Sequence, residues 1–223
     1  MRYSIQGREV RSENAAKPTS TPSQWLLKWI ADLPRHSRVL DLGCGKLRYT
    51  IPLSRQIDKV VAVDSPKQID RVQTVDGEAG WTVRQFVADR LTNVQVFSLD
   101  EVGWRRWRYD RVLIAYVLSA IPKTSVRLDV LSNARDVLKR RGGEIFVATN
   151  FANSRYKNWE TDPRATKYGD GFLIENRKGV SFYGMIPLDR LCDYCRRVGL
   201  EVVDRGTIYG NNAYVAARSS PRN

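Results

Sequence analysis

Histidine and cysteine are scarce in this chain of 223 residues, which contains one histidine and three cysteines. His36 precedes the first strand-like apolar run, at the edge of a parallel sheet that lies opposite to its ligand-binding edge. It is therefore not expected to take part in catalysis. Cys192 and Cys195 have no second cysteine pair or histidine cluster to complete the four ligands of a structural zinc ion. We predict that they pack in the core, and we predict no metal site.

Long apolar runs are missing as well. No run approaches the ~18 residues that would span a membrane, and residues 1–24 are polar, without the form of a secretion signal. The odd number of cysteines offers no disulfide pattern and favours a reducing compartment. The composition therefore predicts a protein without a membrane partner, located in the cytoplasm.

Acidic residues are too few to balance the basic ones, since 24 Asp and Glu stand against 37 Lys and Arg, for a net charge of +13. Such an excess favours binding of polyanions such as nucleic acid, but it also occurs where charge serves solubility. The tightest basic clusters lie at 105–108 and 139–141. The second falls where a helix is predicted to end, and the helix dipole alone explains cations there.

The most informative pattern is the strand-like run 39–45, which ends in Gly-Cys-Gly, followed by a second apolar run that ends at Asp64. A strand, a glycine turn, a helix and a second strand tipped by a carboxylate open a nucleoside-binding βαβ unit. A dinucleotide site favours a third glycine at position 48, where this chain has Arg48, and Asp41 would repel a diphosphate. S-adenosylmethionine carries a sulfonium and an ammonium but no phosphate. The turn therefore favours S-adenosylmethionine over a dinucleotide.

Strand and helix patterns alternate along the chain, which predicts a parallel sheet covered on both faces. A short turn at 210–212 joins the last two strands, so these two must be antiparallel. The predicted strands are 38–42, 60–63, 94–99, 111–115, 144–148, 200–205 and 213–217, and the predicted helices are 21–33, 47–56, 81–91, 125–140 and 187–197.

Two segments fall outside this alternation. Residues 1–22 carry several basic residues and no helical period, and we expect an N-terminal arm there. Residues 23–218 are predicted to form the main domain and residues 219–223 a tail. Within the domain, residues 150–186 interleave aromatic and basic side chains, which suits single-stranded nucleic acid and also a lid or insert over a substrate site that binds a planar small molecule. An insert whose aromatic residues form their own small core is the alternative.

Over most of residues 25–218 the chain resembles the Rossmann-like (class I) S-adenosylmethionine-dependent methyltransferases. Asp41–Gly45 follows the first strand, Asp64 ends the second, Asp100 follows the third, and a Gly-Gly pair at 142–143 precedes the fifth. The resemblance implies an α/β fold with a doubly wound, mostly parallel seven-stranded sheet, an antiparallel last strand and a three-layer αβα arrangement.

The resemblance also implies roles for single residues. Gly43 and Gly45 are expected under the methionine part of the cofactor, Asp41 near its ammonium group, Asp64 at the ribose hydroxyls and Asp100 at the adenine amino group. The residues implied in cofactor binding are Asp41, Leu42, Gly43, Cys44, Gly45, Asp64, Ser65, Asp100, Glu101 and Tyr116.

The chain departs from related families at three positions. Leu47 replaces a third glycine, which we interpret as a change in helix packing and not as a loss of binding. Residues 115–118 read Ala-Tyr-Val-Leu where enzymes that methylate amino groups of DNA bases carry an Asn/Asp-Pro-Pro-Tyr/Phe motif, and no cysteine follows a proline as in cytosine C5 methylation. These departures argue against methylation of DNA bases.

The predicted activity is transfer of a methyl group from S-adenosylmethionine to an oxygen or nitrogen of a small or medium-sized organic acceptor. A sulfonium methyl is already electrophilic, so positioning can supply most of the catalysis, and the sequence offers no catalytic dyad. Two alternatives remain: methylation of RNA or another anionic polymer, and a non-catalytic methyltransferase-like binding module. An oxidoreductase on the related dinucleotide fold is a third. The candidates for the acceptor pocket are Tyr116, Ser119, Asn150, Tyr156, Trp159 and Tyr183.

Overall fold

The structure, a computed structural model, describes residues 2–151, 158–177 and 179–220. The chain divides into two compact units. One consists of Ala16–Leu113 and Val137–Glu144 and is called the loop unit below. The other consists of Met1–Ala15, Ile114–Asp136 and Ile145–Asn223 and is called the hairpin unit.

Fourteen strands and six α-helices are formed by the described residues. The strands are β1 (Arg2–Ile5), β2 (Arg8–Arg11), β3 (Arg38–Leu42), β4 (Lys59–Asp64), β5 (Gln73–Val75), β6 (Glu78–Trp81), β7 (Val94–Ser98), β8 (Arg111–Ala115), β9 (Glu144–Asn150), β10 (Ala165–Tyr168), β11 (Gly171–Asn176), β12 (Gly179–Gly184), β13 (Leu200–Ile208) and β14 (Asn212–Ser219). The helices are α1 (Gln24–Ala31), α2 (Thr50–Gln56), α3 (Pro66–Asp70), α4 (Val83–Arg90), α5 (Thr124–Val137) and α6 (Leu188–Arg197).

The central sheet has seven strands in the order β13-β14-β9-β8-β3-β4-β7. Strand β3 is parallel to β4 and β8, β4 is parallel to β7, and β14 is antiparallel to both β9 and β13. The middle strands are nearly continuous apolar runs because parallel strands are buried on both faces. The predicted fold class, a Rossmann-like doubly wound α/β sheet with a reversed last strand, is confirmed.

In the loop unit, local sequence signals account for the element boundaries. Helix α4 begins with a capping box, in which the Thr82 hydroxyl accepts from the Gln85 N–H at 3.1 Å and the Gln85 side chain accepts from the Thr82 N–H at 3.2 Å. The segment 66–80, which showed no clear period, forms the short helix α3 and the hairpin β5–β6. Gly77 takes a φ of +84° at the turn of this hairpin, which favours glycine.

In the hairpin unit, five strands form a second sheet in the order β1-β2-β12-β11-β10. The N-terminal hairpin β1–β2 pairs in parallel with β12 through Val10 and Val180, and β10, β11 and β12 form an antiparallel meander. The N-terminal residues and the 150–186 segment thus share one sheet in this structure. The boundaries of the arm, the domain and the tail stay a prediction.

None of the helices in the described part of the chain combines the length and the apolar character needed to cross a bilayer.

Candidate functional site

The glycine loop follows β3 in the loop unit, at the carboxyl ends of the parallel strands. Gly43 and Gly45 take φ values of +88° and +58°, which residues with a Cβ rarely adopt. The N–H groups of Gly43 and Cys44 donate to the Val63 carbonyl at 2.7 and 3.1 Å. The loop is therefore fixed against the end of β4, next to Asp64.

Asp64 closes β4 and holds the loop through its carboxylate. Its Oδ2 accepts from the Gly45 N–H at 2.8 Å, and its Oδ1 accepts from the Ser65 N–H at 2.6 Å. Burial raises the pKa of Asp64, and these two backbone hydrogen bonds act in the opposite direction. Each carboxylate oxygen keeps a further lone pair, so Asp64 can accept two more hydrogen bonds, as a ribose diol requires.

Asp41 lies one residue before the end of β3 and is 2% exposed. Its Oδ2 accepts from the Thr50 hydroxyl at 2.6 Å. Burial raises the pKa of Asp41 to about 7, the Thr50 hydrogen bond lowers it, and the nearby charge of Asp64 raises it further. A buried carboxylate with a single neutral donor is suited to a cationic partner.

Leu47 occupies the first turn after the loop with a φ of +67° and a fully buried side chain. Its N–H donates to the Cys44 carbonyl at 2.9 Å. A left-handed conformation costs a residue with a Cβ about 1–2 kcal/mol. The position therefore retains the backbone shape of a glycine, although the side chain is large.

Gln68 is a loop contact that the sequence did not predict. It is fully buried in α3, and its Nε2 donates to the Gly45 carbonyl at 2.7 Å. The Arg71 guanidinium donates to its Oε1 at 2.7 Å, which fixes the orientation of the amide. Its segment shows no period and no motif, so no signal in the sequence marked this residue.

After β7, Asp100 and Glu101 have different surroundings. The Ser98 N–H donates to Glu101 Oε2 at 2.7 Å, and Arg84 pairs with Glu101 Oε1 at 3.4 Å. Asp100 is exposed and accepts from the Ser98 hydroxyl through Oδ1, with its Oδ2 left for a ligand. Asp100 is thus better placed than Glu101 to accept from an adenine amino group.

Three predicted acceptor residues lie together in the hairpin unit. Tyr116 follows β8 with a φ of +64°, and its N–H donates to the Ala148 carbonyl at 2.7 Å. The Ser119 hydroxyl accepts from the Asn150 N–H at 3.0 Å. A non-glycine residue held at positive φ is typical of functional sites.

Two aromatic candidates from the 150–186 segment are also brought together. The rings of Trp159 and Tyr183 have centroids 5.1 Å apart, and Trp159 also contacts the buried ring of Phe172 at 6.1 Å. A Cβ at Gly184, the neighbour of Tyr183, would come within 3.3 Å of the Ser119 carbonyl. The β12 backbone therefore lies next to the Ser119 turn, whereas the Tyr183 side chain points to the opposite face of the strand from Gly184. Tyr156 lies outside the described residues.

The sequence predicted no catalytic or metal-binding role for His36, Cys192 and Cys195. His36 is exposed, and its Nδ1 lies 2.7 Å from Asp58. Cys192 and Cys195 are buried in α6, and burial raises the pKa of Cys195 to about 12. A thiol with such a pKa is not a nucleophile at neutral pH.

The sequence is similar to a known protein family and to proteins of other organisms. A family model for a methyltransferase domain matches residues 14–205. Uncharacterized protein YmfD of Escherichia coli (strain K12) is 32% identical over 220 residues, which cover 98% of this chain and 96% of that protein. The 23S rRNA (uracil(1939)-C(5))-methyltransferase RlmD of Psychromonas ingrahamii is 26% identical over 113 residues, which cover 48% of this chain and 22% of that protein.

A solved structure adds to these relatives. The Burkholderia thailandensis 1,6-didemethyltoxoflavin-N1-methyltransferase, with bound 1,6-didemethyltoxoflavin and S-adenosylhomocysteine, superposes with a TM-score of 0.60 at 17% identity and covers 89% of this chain and 78% of that one. At this identity the likeness shows the fold.

The chain belongs to the methyltransferase domain family, because the family match extends over most of its length. It is an S-adenosylmethionine-dependent methyltransferase of the Rossmann-like class. The family, the enzyme class and the cofactor predicted from the glycine loop are thus confirmed. The roles of single residues and the cytoplasmic location stay predictions.

Proposed function

We propose that this methyltransferase transfers its methyl group to an oxygen or nitrogen of a small or medium-sized organic acceptor. The observation that carries the proposal is the contact between the Trp159 and Tyr183 rings in the 150–186 segment, since aromatic rings with a few polar groups suit a planar organic molecule. The solved Burkholderia enzyme binds 1,6-didemethyltoxoflavin, which is an acceptor of this kind.

The residues of the glycine loop fit the cofactor by their chemistry. Asp41 and Asp64 supply two carboxylates at the loop, and the guanidinium of Arg48 lies over the Tyr49 ring, 5.3 Å from its centroid. The two carboxylates suit a cationic nucleoside better than a diphosphate. Asp41 would hold the ammonium group, Asp64 the ribose hydroxyls and Asp100 the adenine amino group.

The two glycines of the loop contribute to cofactor binding through their backbone. Gly43 and Gly45 let the chain approach the methionine part closely. Leu42, Cys44, Ser65, Glu101 and Tyr116 complete the proposed binding set.

The chemistry needs positioning more than proton transfer. S-adenosylmethionine supplies a methyl group on a sulfonium, which is electrophilic without further activation. The protein has to orient the acceptor atom toward that methyl group and keep water away. Tyr116 and Ser119 can orient an acceptor, and an acceptor that loses its proton near neutral pH needs no general base from the protein.

A turnover assay with a panel of small hydroxyl- and amine-bearing acceptors tests the proposal, with release of S-adenosylhomocysteine as the readout. We expect turnover on a member of the panel to change less than about twofold between 50 and 200 mM salt, because it does not depend on counterion release. Methylation of an RNA pool that collapses over the same range, with no turnover on the panel, would instead support the alternative that the net charge of +13 and the RlmD match favour.

Variants of Trp159 and Tyr183 test whether the aromatic pair binds the acceptor. Trp159→Ala and Tyr183→Ala should raise the acceptor KM about tenfold or more through lost stacking and leave the cofactor Kd unchanged. Trp81→Ala is the matched control, because Trp81 packs on Phe86 in the loop unit, with ring centroids 5.8 Å apart. Cofactor binding without turnover on any acceptor would favour a non-catalytic binding module.

A further inference from the structure

Arginines gather at the amino ends of the parallel strands in the loop unit, at the edge opposite to the glycine loop. Arg38 begins β3 and Arg111 begins β8. The remaining members come from the segments before β8 and before β9. We define this surface, the basic edge, as Arg38, Arg106, Arg108, Arg111, Arg140 and Arg141.

Backbone hydrogen bonds join the two basic clusters, which are about thirty residues apart in the chain. The Tyr109 N–H donates to the Val137 carbonyl at 3.0 Å, and the Lys139 N–H donates to the Tyr109 carbonyl at 2.9 Å. The Arg111 guanidinium also donates to the Gly142 carbonyl at 3.0 Å. Residues 109–111, which directly follow the first cluster, are therefore bonded to residues 137–142, which contain the second. The helix dipole explains why basic residues occur at 139–141. It does not explain why they lie close to the first cluster.

Two acids at this edge, Asp110 and Asp58, are paired within the protein. Asp110 pairs with Lys139 at 2.6 Å and accepts from the Arg38 N–H at 2.8 Å. Asp58 is held by Arg35 and His36 at 3.0 and 2.7 Å.

Four arginines at this edge keep an unpaired charge. Within the described ranges no carboxylate forms an ion pair with Arg106, Arg108, Arg140 or Arg141, all of which are exposed. Four neighbouring cations without acidic partners are available to a polyanion.

The surroundings favour a nucleic acid over a lipid surface. Insertion into a bilayer uses exposed apolar side chains, and the exposed large apolar residues Val72, Val102, Val203 and Tyr209 are not part of the basic edge. Arginine matches phosphate with a planar fork of donors. The half-buried Trp107 ring, whose centroid is 5.7 Å from the guanidinium carbon of Arg38, adds an aromatic side chain beside the arginines, a combination found in proteins that bind single-stranded nucleic acid.

We propose that the basic edge is a docking surface for the phosphodiester backbone of RNA. It lies one strand length from the glycine loop, about 17 Å for the five residues of β3. RNA bound there does not compete with the cofactor, so its affinity should be the same with and without S-adenosylmethionine. The proposal does not rest on a small-molecule acceptor, because docking and methyl transfer use opposite edges.

Fluorescence anisotropy with a labelled single-stranded RNA of about 20 nucleotides, between 50 and 200 mM salt, tests the proposal. The variant carries Arg106→Ala, Arg108→Ala, Arg140→Ala and Arg141→Ala. The matched control removes the same charge at four exposed positions elsewhere, with Lys28→Ala, Lys123→Ala, Arg177→Ala and Arg196→Ala. All eight side chains are exposed, and calorimetric binding of S-adenosylmethionine verifies that both proteins are folded.

We expect the edge variant to reduce the slope of log affinity against log salt by about 3, since each lost phosphate contact on a single strand removes about 0.7. Its affinity should fall by roughly 100-fold, against less than about fivefold for the control. Equal losses in both variants would overturn the proposal in favour of a diffuse effect of net charge. Absence of RNA binding by the wild-type chain would overturn it too, as would equally tight binding to phosphatidylserine vesicles or polyglutamate at the same salt.

Discussion

The backbone N–H of Gly45 donates a 2.8 Å hydrogen bond to Oδ2 of Asp64. One carboxylate therefore fixes the glycine loop and, in the proposed role, also binds the ribose. Because the loop and the second strand are joined in this way, the two parts of the sequence motif act as one unit. A substitution at position 64 should disturb the loop as well as the ligand.

The left-handed conformation of Leu47 predicts an unusual order of stability. Leu47→Ala and Leu47→Gly both remove a buried side chain, at a cost of about 2–5 kcal/mol. Only glycine also relieves the strain at φ +67°, worth about 1–2 kcal/mol. We expect Leu47→Gly to be the more stable of the two in urea unfolding.

The control is the same pair of substitutions at Leu53, which is also fully buried but lies within α2. There alanine should be the more stable by about 1 kcal/mol. An alanine variant at position 47 that is more stable than the glycine variant would contradict the account. Both variants at 47 should bind the cofactor within about threefold of the wild type if the position serves packing.

The raised pKa of Asp41 predicts that the free energy of unfolding depends on pH. An aspartate in the unfolded chain has a pKa of about 4, whereas burial raises the pKa of Asp41 to about 7 in the folded protein. Between these values the folded state holds a proton that the unfolded state has lost. The stability of the cofactor-free protein should therefore fall as pH rises from about 4 to 7, by up to ~1.4 kcal/mol per pH unit, with no further loss above.

Urea unfolding of the wild type and of Asp41→Asn at several pH values measures this contribution. The difference between the two curves isolates Asp41 from other titrating groups, and it should change across the window from pH 4 to 7. Parallel curves would rule out the raised pKa.

Cofactor affinity should depend on pH in the opposite direction. The proposed contact with an ammonium group needs the ionised carboxylate, so affinity should rise as pH increases toward 7. The Thr50 hydrogen bond lowers the pKa of Asp41, so Thr50→Val should move the midpoint of this rise to higher pH. Calorimetry between pH 5.5 and 8 measures it, with Thr92→Val as the control at an exposed position. A midpoint that does not move would remove Asp41 from the binding site.

A buried ion pair in the hairpin unit joins Arg127 of α5 to Asp170, which lies between β10 and β11. Arg127 donates to Asp170 with both Nη atoms, and their side chains are 1% and 12% exposed. Arg127→Met leaves the carboxylate with Arg190 alone, at 3.4 Å, and should cost about 3 kcal/mol. Arg197→Met, which breaks the exposed pair with Asp193, should cost less than ~1 kcal/mol.

The double variant Arg127→Met/Asp170→Leu distinguishes burial from specific pairing. It leaves no uncompensated charge and should recover most of the lost stability in thermal unfolding. A double variant as unstable as the sum of the two single ones would show that the pair does not interact energetically.

The sequence was most informative where patterns are local. Strands β3 and β8 have the predicted bounds, because each is a short, mostly apolar run that begins at a basic residue. The positive φ at Leu47 was not predicted, since a leucine gives no sign of a left-handed backbone. Gln68 was missed because its role depends on a turn that only the folded chain brings to the loop.

Long-range pairing explains the other differences. The second sheet joins Val10 to Val180, and neither residue carries a signal for the other. In the same way, the two basic clusters looked like separate features until the bonds around Tyr109 joined the segments beside them. Contacts between distant segments depend on topology, which a single sequence without homologues specifies poorly.

The central claim is that the glycine loop and Asp64 bind S-adenosylmethionine. Isothermal titration calorimetry of the wild type and Asp64→Ala against S-adenosylmethionine and NAD tests it most directly, with Asp89→Ala as the control for a lost exposed carboxylate. We expect one site for S-adenosylmethionine in the wild type and in the control, a loss of roughly 100-fold in Asp64→Ala, and no binding of NAD. Binding of NAD in preference to S-adenosylmethionine, or unchanged affinity in Asp64→Ala, would contradict the claim.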